Sequence, residues 1–202
     1  EKSALFKENV LRLEYAPARN LATAQIVMDK NAADFLYDAG TDWGNFQPAT
    51  GGADFDDDIL RQIGPVLEIA PPARCVIHGV KGSGRTRLCR CLAGKLHCSG
   101  ILTVDFRLAA NYEQAAEIIR NARAMAAVRH ALIAVVALPE PEERWRDAMR
   151  LIARDMHQSA SPVAWIFSGD TPQWLEIPPQ AHILLSVPNR MQRGAIWKSA
   201  VN

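Results

Sequence analysis

Short apolar runs alternate with longer amphipathic stretches over the C-terminal two thirds of the chain. The runs are rich in Val, Ile, Leu and Phe, which is typical of strands buried on both faces of a parallel sheet. They occupy residues 74–78, 101–106, 132–137, 163–168 and 182–187. Strands that alternate with helices predict an α/β fold with a five-stranded parallel sheet flanked by helices.

The stretches between these runs predict helices at 85–97, 112–129 and 142–158. In the third stretch, apolar residues recur at the spacing of one helical face, and we interpret this stripe as core. It consists of Trp145, Ala148, Met149, Ile152 and Met156. A further helix begins near Asn189, a suitable N-cap residue, and continues towards Asn202.

The first 70 residues have a different pattern. We expect an extended segment at 3–15, a short helix at 29–37 and a connector rich in Gly, Pro and Asp at 41–58. A helix at 59–69 is expected to be interrupted near Gly64 and Pro65. The prediction is therefore a small N-terminal appendage at 1–70 and a sheet domain at 71–188, followed by the helix at 189–202.

A glycine-rich segment follows the first predicted strand and precedes the first long helix. It consists of Gly79, Val80, Lys81, Gly82, Ser83, Gly84, Arg85 and Thr86. The segment fits the phosphate-loop pattern G-x-x-x-x-G-K-[ST] except that Arg85 replaces the lysine. Such glycines let backbone N–H groups surround phosphate oxygens in front of a helix N-terminus. We expect ATP or ADP here, with the Thr86 hydroxyl as a Mg²⁺ ligand.

Arg85 keeps the positive charge of the missing lysine but changes its geometry. A guanidinium is a planar fork, whereas an ammonium is a compact group on a flexible stem. Arg85 can therefore grip phosphate without supporting turnover. Lys81, at a variable position of the pattern, is the alternative source of an ammonium.

The second element of a nucleotide hydrolase, a strand ending in acids that order magnesium and polarise water, is incomplete. The candidate strand at 132–137 has Ala137 and Leu138 where the two acids are expected. Glu140 lies beyond Pro139 and would reach the site only through an unusual extension. Loss of both acids lowers a hydrolysis rate by several orders of magnitude, so we expect no hydrolysis by this domain alone.

The strand at 163–168 ends in Ser168, where a polar side chain that contacts the γ-phosphate is often found. Ser168 is thus a candidate sensor residue, with an ordinary turn residue as the alternative. Asp170, two residues later, is a second candidate for metal binding beside Glu140.

Composition excludes several classes of protein. The 202 residues are 49% hydrophobic and 22% charged, which is close to a globular average and argues against disorder. The longest apolar run, at 131–138, is far shorter than the roughly 18 residues of a membrane-spanning helix. A formal net charge of +1 gives no reason to expect a nucleic-acid or membrane surface. We expect a cytoplasmic protein.

Local charge and cysteine spacing add two expectations. Residues 31–60 carry seven acids and no base, whereas residues 73–97 carry six bases and no acid, which favours an anion site in the second segment. The acidic segment is either a solvated loop or a docking surface for a basic partner.

The four cysteines lack the paired spacing of zinc ligands, so we expect buried thiols and no zinc. They are Cys75, Cys89, Cys91 and Cys98.

The order of strand, phosphate loop, helix, strand ending in Asp105, acid-depleted strand and sensor-type strand resembles the AAA+ ATPases. The fifth strand leads through Pro188 to a segment, 190–197, that resembles the start of their helical lid. More narrowly, the chain resembles the first, degenerate module of the AAA+ ATPases of contractile injection systems. The segments that carry this likeness are 3–6, 10–13, 26–29, Phe35-Leu36, Gly40 and 82–85.

The resemblance implies a module of a larger, hexamer-forming chain whose subunits form a ring, with an intact ATPase module after Asn202 and an injection-system protein as partner. The start at Glu1 is typical of a processed form or an excised fragment. Three hypotheses follow: a non-hydrolysing module for ring contacts or nucleotide sensing, an active ATPase that uses Arg85 with Glu140 or Asp170, and a docking domain that uses no nucleotide.

Overall fold

The computed structural model describes residues 3–14, 25–30, 32–33, 45–50, 57–68, 73–138, 140–176 and 181–189. Most of the helix expected at 29–37 and of the acidic segment lies outside these residues. The segment expected to begin a lid, beyond Asn189, does so too.

Within the described residues, the main sheet contains six strands, of which five are parallel. The strands found there are β1 (Leu11–Glu14), β2 (Gln25–Met28), β3 (Phe46–Pro48), β4 (Arg74–Gly79), β5 (Gly100–Asp105), β6 (Leu132–Val136), β7 (Val163–Phe167) and β8 (Ala181–Leu185). The order in the main sheet is β3-β5-β6-β7-β4-β8, and β1 and β2 form a separate antiparallel pair. The predicted α/β fold and its five parallel strands are confirmed.

The sixth strand, β3, was not predicted from the sequence. It pairs antiparallel with β5 at one edge of the sheet. It is three residues long and ends in Pro48, which an edge strand tolerates because its outer N–H groups need no partner in the sheet. Its apolar signal is therefore too short to be distinguished from the surrounding connector.

The α-helices described over their whole length are α1 (Ala4–Lys7), α2 (Asp57–Glu68), α3 (Arg85–Lys95), α4 (Tyr112–Arg129) and α5 (Glu143–His157). The three long helices after β4 were predicted correctly. The predicted interruption of α2 is wrong, because the helix continues through Gly64 and Pro65. Burial of Ile63 and Val66 in the core offsets the hydrogen bond that Pro65 removes.

The prediction of one extended segment at 3–15 is correct only for its end. Residues 4–7 form α1, Asn9 has a positive φ of 62°, and β1 begins at Leu11. Asparagine is one of the residues that most readily adopts this left-handed conformation, which reverses the chain between helix and strand.

Two hydrophobic layers sandwich the sheet. Helices α4 and α5 cover one face with residues such as Ile119 and Met149, and α2 and α3 cover the other with Ile63 and Leu88. Along β4, Val76 faces the first layer while Cys75 and Ile77 face the second, as strand alternation requires. Of the stripe predicted on α5, Met149, Ile152 and Met156 are buried.

Residues from the first 70 take part in these layers, since α2 packs on the core and β3 pairs with β5. The division into domains at residue 70 stays a prediction.

Among the described helices, none is long and apolar enough to cross a lipid bilayer.

A buried ionic cluster joins the N-terminal segment to α4 and α5. The Glu8 carboxylate is only 3% exposed and accepts hydrogen bonds from Arg123, from the Ser159 hydroxyl and from the Ala160 N–H. Arg123 also donates to Asp155 at 2.5 Å and to the Lys7 carbonyl at 2.7 Å. These groups come from three separate parts of the chain, residues 7–8, Arg123 of α4 and residues 155–160, so the cluster fixes tertiary structure.

Arg74 lies beside this cluster at the start of β4. It donates to the carbonyls of Ala73, His157, Ser159 and Ser161. Burial lowers the pKa of Arg74 to about 10, and the Glu8 charge partly offsets that effect. The guanidinium therefore remains charged at neutral pH and is bound by carbonyl oxygens.

Replacing Glu8 by Ala is expected to lower the free energy of unfolding by about 3 kcal/mol, the lower end of the cost of breaking a buried ion pair, because Arg123 would keep only the partly exposed Asp155 as a carboxylate partner. Urea unfolding followed by circular dichroism measures this. The control is Arg144→Ala, which removes an ion pair whose arginine side chain is 74% exposed and should cost less than about 1 kcal/mol. Equal losses in both variants would contradict a special role for Glu8.

Candidate nucleotide-binding site

The phosphate loop, residues 79–86, joins the end of β4 to the start of α3 at the carboxyl edge of the sheet. Gly82 and Gly84 have φ angles of 89° and 92°, in the region that favours glycine. A Cβ on Gly79 would overlap Ser83 Oγ and lie 3.0 Å from Leu185 Cβ. The glycines of the motif are thus required by backbone conformation and by close packing.

Helix α3 begins without a side-chain cap. Its N-cap is Gly84, its first turn contains no acid, and its first residues are Arg85, Thr86 and Arg87. The first N–H groups of a helix have no intrahelical partner, and the helix dipole makes this end positive. By contrast, Asn111 caps α4 through its side chain, and α2 has Asp57 and Asp58 in its first turn. The start of α3 is therefore suited to an anion.

Ser83 lies inside the loop with an unused hydroxyl. The residue is 6% exposed, and its N–H donates to the Val80 carbonyl at 3.1 Å. Its Oγ is buried and has no hydrogen-bond partner among the described residues. A buried polar atom without a partner is costly, and a ligand oxygen in the loop would supply one.

Arg85 and Ser168, two residues singled out from the sequence, are in contact. Arg85 Nη1 donates to Ser168 Oγ at 3.1 Å. Ser168 follows β7, which is hydrogen-bonded to β4, so the sheet brings the sensor-type position next to the residue that replaces the lysine. The Thr86 hydroxyl belongs to an exposed residue of the first turn of α3, accessible to a bound metal ion.

His78 is a site residue that sequence reasoning missed. It is the residue directly before Gly79, and its ring nitrogens contact the Gly169 carbonyl at 2.6 Å and Thr171 Oγ1 at 3.1 Å. Its ring also stacks on His182 with centroids 5.8 Å apart. A single histidine at the end of a strand belongs to no sequence motif. The one sequence signal for His78 was its position directly before the glycine-rich loop.

The end of β6 brings no acid to the site. In the sheet, Val136 pairs with Ile166 of β7, which pairs with Ile77 of β4, so Ala137 and Leu138 continue towards the carboxyl edge beside the loop after β7. Ala137 is 5% exposed. The two side chains expected to be acids in a hydrolase are apolar at this position.

The acids near this edge include Asp105, Glu140 and Asp170. Asp105 ends β5 and accepts two hydrogen bonds from the Arg107 side chain, at 2.8 and 2.6 Å. These bonds hold the pKa of Asp105 below its usual value. Glu140 lines a cavity of about 340 Å³ with Phe106 and Trp145, a lining that includes no residue of the phosphate loop. Asp170 is exposed in the segment after β7.

The basic residues between 73 and 97 do not form one patch. Arg74 lies at the opposite end of β4 from the loop, and Arg90 donates to the Pro48 carbonyl at 2.9 Å. Lys81, which is exposed, and Arg85 remain at the loop. The positive charge relevant to an anion is therefore smaller than the local count suggests.

The four cysteines are buried and unbridged, as expected for small core thiols. Burial raises the pKa of Cys75 to about 12, although Arg74 opposes the shift, and burial also raises the pKa of Cys89 and Cys98. The described residues contain no group of three or more His, Cys, Asp or Glu placed to hold a metal ion.

No protein-family model matches the sequence. No curated protein matches it either.

Solved structures resemble the fold at low sequence identity. The AAA domain of FIGL-1 in complex with ADP aligns with a TM-score of 0.48 and 15% identity, over 71% of this chain and 54% of that chain. Two variants of RuvB from Thermotoga maritima align with TM-scores of 0.44 and 0.45 and 16% identity, over 73% of this chain and 50% and 51% of theirs. The chain spans about half the length of these structures.

Gly82→Ala is expected to lower the free energy of unfolding by about 1 to 2 kcal/mol, because an L side chain is strained at φ 89°. No atom lies within 4 Å of the added Cβ, so the cost is conformational. The control is Gly64→Ala inside α2, which also has open space and should stabilise by about 0.5 to 1 kcal/mol. Thermal and urea unfolding measure both; stabilisation by Gly82→Ala would contradict the loop conformation.

Cys75 and Cys89 are expected to react slowly with iodoacetamide at pH 8 in the folded protein. The thiolate is the reactive form, and a raised pKa leaves less of it at that pH. Mass spectrometry of tryptic peptides before and after unfolding in urea checks this. Rapid modification of either residue in the native state would show that its thiol is accessible and ionised.

Proposed function

We propose that this domain is a non-hydrolysing P-loop module of AAA+ type that binds ATP or ADP with Mg²⁺ at residues 79–86. Its role is nucleotide sensing or ring contacts within a larger ATPase. The observation that carries the proposal is a phosphate loop with its required glycines, next to a β6 strand that ends in Ala137 and Leu138.

Binding is supported by four features of the loop. Gly82 and Gly84 provide the left-handed backbone, and the uncapped start of α3 provides N–H groups. Ser83 Oγ is buried without a partner among the described residues. Arg85 supplies a permanent positive charge, and the Thr86 hydroxyl would be the protein ligand of Mg²⁺. A nucleotide triphosphate or diphosphate matches these donors.

We expect no hydrolysis because carboxylates are missing from the positions where a hydrolase needs them. Mg²⁺ needs an acid to order it, and attack on the γ-phosphate needs a group that positions water. Asp105 is engaged by Arg107, and Glu140 lines a cavity with no phosphate-loop residue in its lining. Asp170, exposed after β7, is the remaining candidate for ordering Mg²⁺, but Ala137 and Leu138 leave the water-positioning acid at the end of β6 absent. We therefore expect bound nucleotide to remain unhydrolysed and to act as a structural or regulatory ligand.

The larger assembly is proposed from the AAA+ resemblance. A ring would place this module beside catalytic neighbours, and the likeness of the leader segments and the altered phosphate loop favours an injection-system protein as partner. The cytoplasm is the proposed compartment, which four unbridged buried thiols support. The docking alternative depends on the acidic segment, most of which lies outside the described residues.

Titration calorimetry with Mg-ADP and Mg-ATP tests binding, and phosphate release tests hydrolysis. We expect both nucleotides to bind, Thr86→Ala and Arg85→Ala to weaken binding about tenfold or more, and no release of phosphate above background. The control is Lys95→Ala, which removes the same charge from the last turn of α3 and should leave affinity unchanged.

The hydrolysis assay separates the alternatives. Arg85→Lys alone should not produce turnover, because the acids stay absent. Turnover that is lost in Thr86→Ala and in Glu140→Gln would instead establish an active ATPase. Failure of the wild-type protein to bind either nucleotide would overturn the proposal in favour of a module that uses none.

A further inference from the structure

We infer that Ser168 and His78 are positioning residues that orient the Arg85 guanidinium for the phosphates. The inference rests on the proposed nucleotide site and goes beyond it, because it explains how an arginine serves at the position of the usual lysine. The contacts that carry it lie on both flanks of the phosphate loop and meet in one short segment, residues 168–171.

The two flanks of the loop are tied to that segment separately. On the N-terminal flank, His78 contacts the Gly169 carbonyl and the Thr171 hydroxyl. On the C-terminal flank, Arg85 donates to the Ser168 hydroxyl. If β7 alone held residues 168–171, the position of Ser168 relative to Arg85 would vary. The two contacts with His78 restrict that position.

The ring of His78 is well suited to hold this segment. Since a carbonyl oxygen only accepts, Nδ1 carries a proton and donates to Gly169; in the neutral ring, Nε2 then accepts from Thr171 Oγ1. Both ring nitrogens are used, and stacking on His182 fixes the ring plane. The imidazole is thus anchored at the end of β4 and holds the segment through two bonds.

The far end of the segment is anchored in the core. Trp174 is 2% exposed and packs edge-on against Trp165 and Phe167, both of β7. The chain therefore leaves the core at Phe167 and returns to it at Trp174. Gly169 and Thr171, the two residues that His78 contacts, lie between these anchors.

The Arg85 guanidinium is suited to contact Ser168 and phosphate at the same time. A guanidinium donates several hydrogen bonds in one plane, so it can keep Ser168 through Nη1 and bind phosphate oxygens through its remaining N–H groups. The contact with Ser168 restricts the rotation of the Arg85 side chain before the ligand binds. The entropy cost of ordering that side chain is therefore not subtracted from the free energy of binding. An ammonium on a lysine stem has no such fixed plane, so Ser168 would give it little orientation.

Mg-ADP titration calorimetry on the full chain tests the assignment. We expect Ser168→Ala to weaken affinity about three- to tenfold and Ser168→Thr, which keeps the hydroxyl, to bind like the wild type. His78→Phe keeps a ring but loses both hydrogen bonds and should weaken binding similarly, whereas His78→Gln, which retains a donor and an acceptor, should restore much of it.

A double-mutant cycle distinguishes positioning from simple stabilisation. In an Arg85→Lys background, Ser168→Ala should cause no further loss of affinity, because the contact it removes is already gone. An equal loss in both backgrounds would mean that Ser168 acts only on loop structure and would overturn the inference. Thermal unfolding of each variant confirms that the folded state is retained.

Two further outcomes are separable. If the wild type binds Mg-ADP and all four single variants at positions 78 and 168 bind equally well, the positioning role is refuted while the nucleotide site stands. If the wild type does not bind Mg-ADP, both the site and the positioning role are refuted. Nitrogen NMR of the His78 ring supplies an independent check, since the Nδ1–H tautomer is expected and a Thr171→Val variant should perturb Nε2.

Discussion

The parallel pairing of β4 with β7 is the constraint on which the candidate site depends. The register sets Ile77 beside Ile166 and His78 beside Phe167, so the phosphate loop and the segment after β7 leave the sheet side by side. A shift of one residue would move every side chain of β4 to the opposite layer, which the packing of Val76 and Ile77 on different faces prevents. Apolar packing thereby positions the polar contacts of the site.

The two edges of the sheet have different chemistry. At the amino edge, Glu8, Arg74 and Arg123 form a buried charged cluster whose hydrogen bonds are made within the protein. At the carboxyl edge, Ser83 keeps a buried hydroxyl without a partner among the described residues, and α3 begins without a side-chain cap. Charged groups that are hydrogen-bonded within the protein stabilise its structure. The Ser83 hydroxyl and the first N–H groups of α3 are instead available to a ligand.

The carboxyl edge carries a glycine-rich loop beside a strand, β6, that leads to no acid. In the proposed site, the glycines and Arg85 would bind phosphate by geometry and charge, which needs no acid. Hydrolysis needs acids in addition, and β6 leads to Ala137, a buried apolar residue. Under the proposal, nucleotide binding and turnover are therefore physically separable.

The five parallel strands, the three long helices after β4 and the glycine-rich loop could be predicted from the sequence, because each depends on periodicity or spacing within a short stretch. The pairing of β3 with β5, the Glu8 cluster and the contacts of His78 with segment 168–171 could not be predicted in this way. These join residues more than 50 positions apart, and local pattern contains no information on which distant groups meet. The continuity of α2 through Pro65 has the same cause, since tertiary burial of Val66 outweighed a local helix-breaking signal.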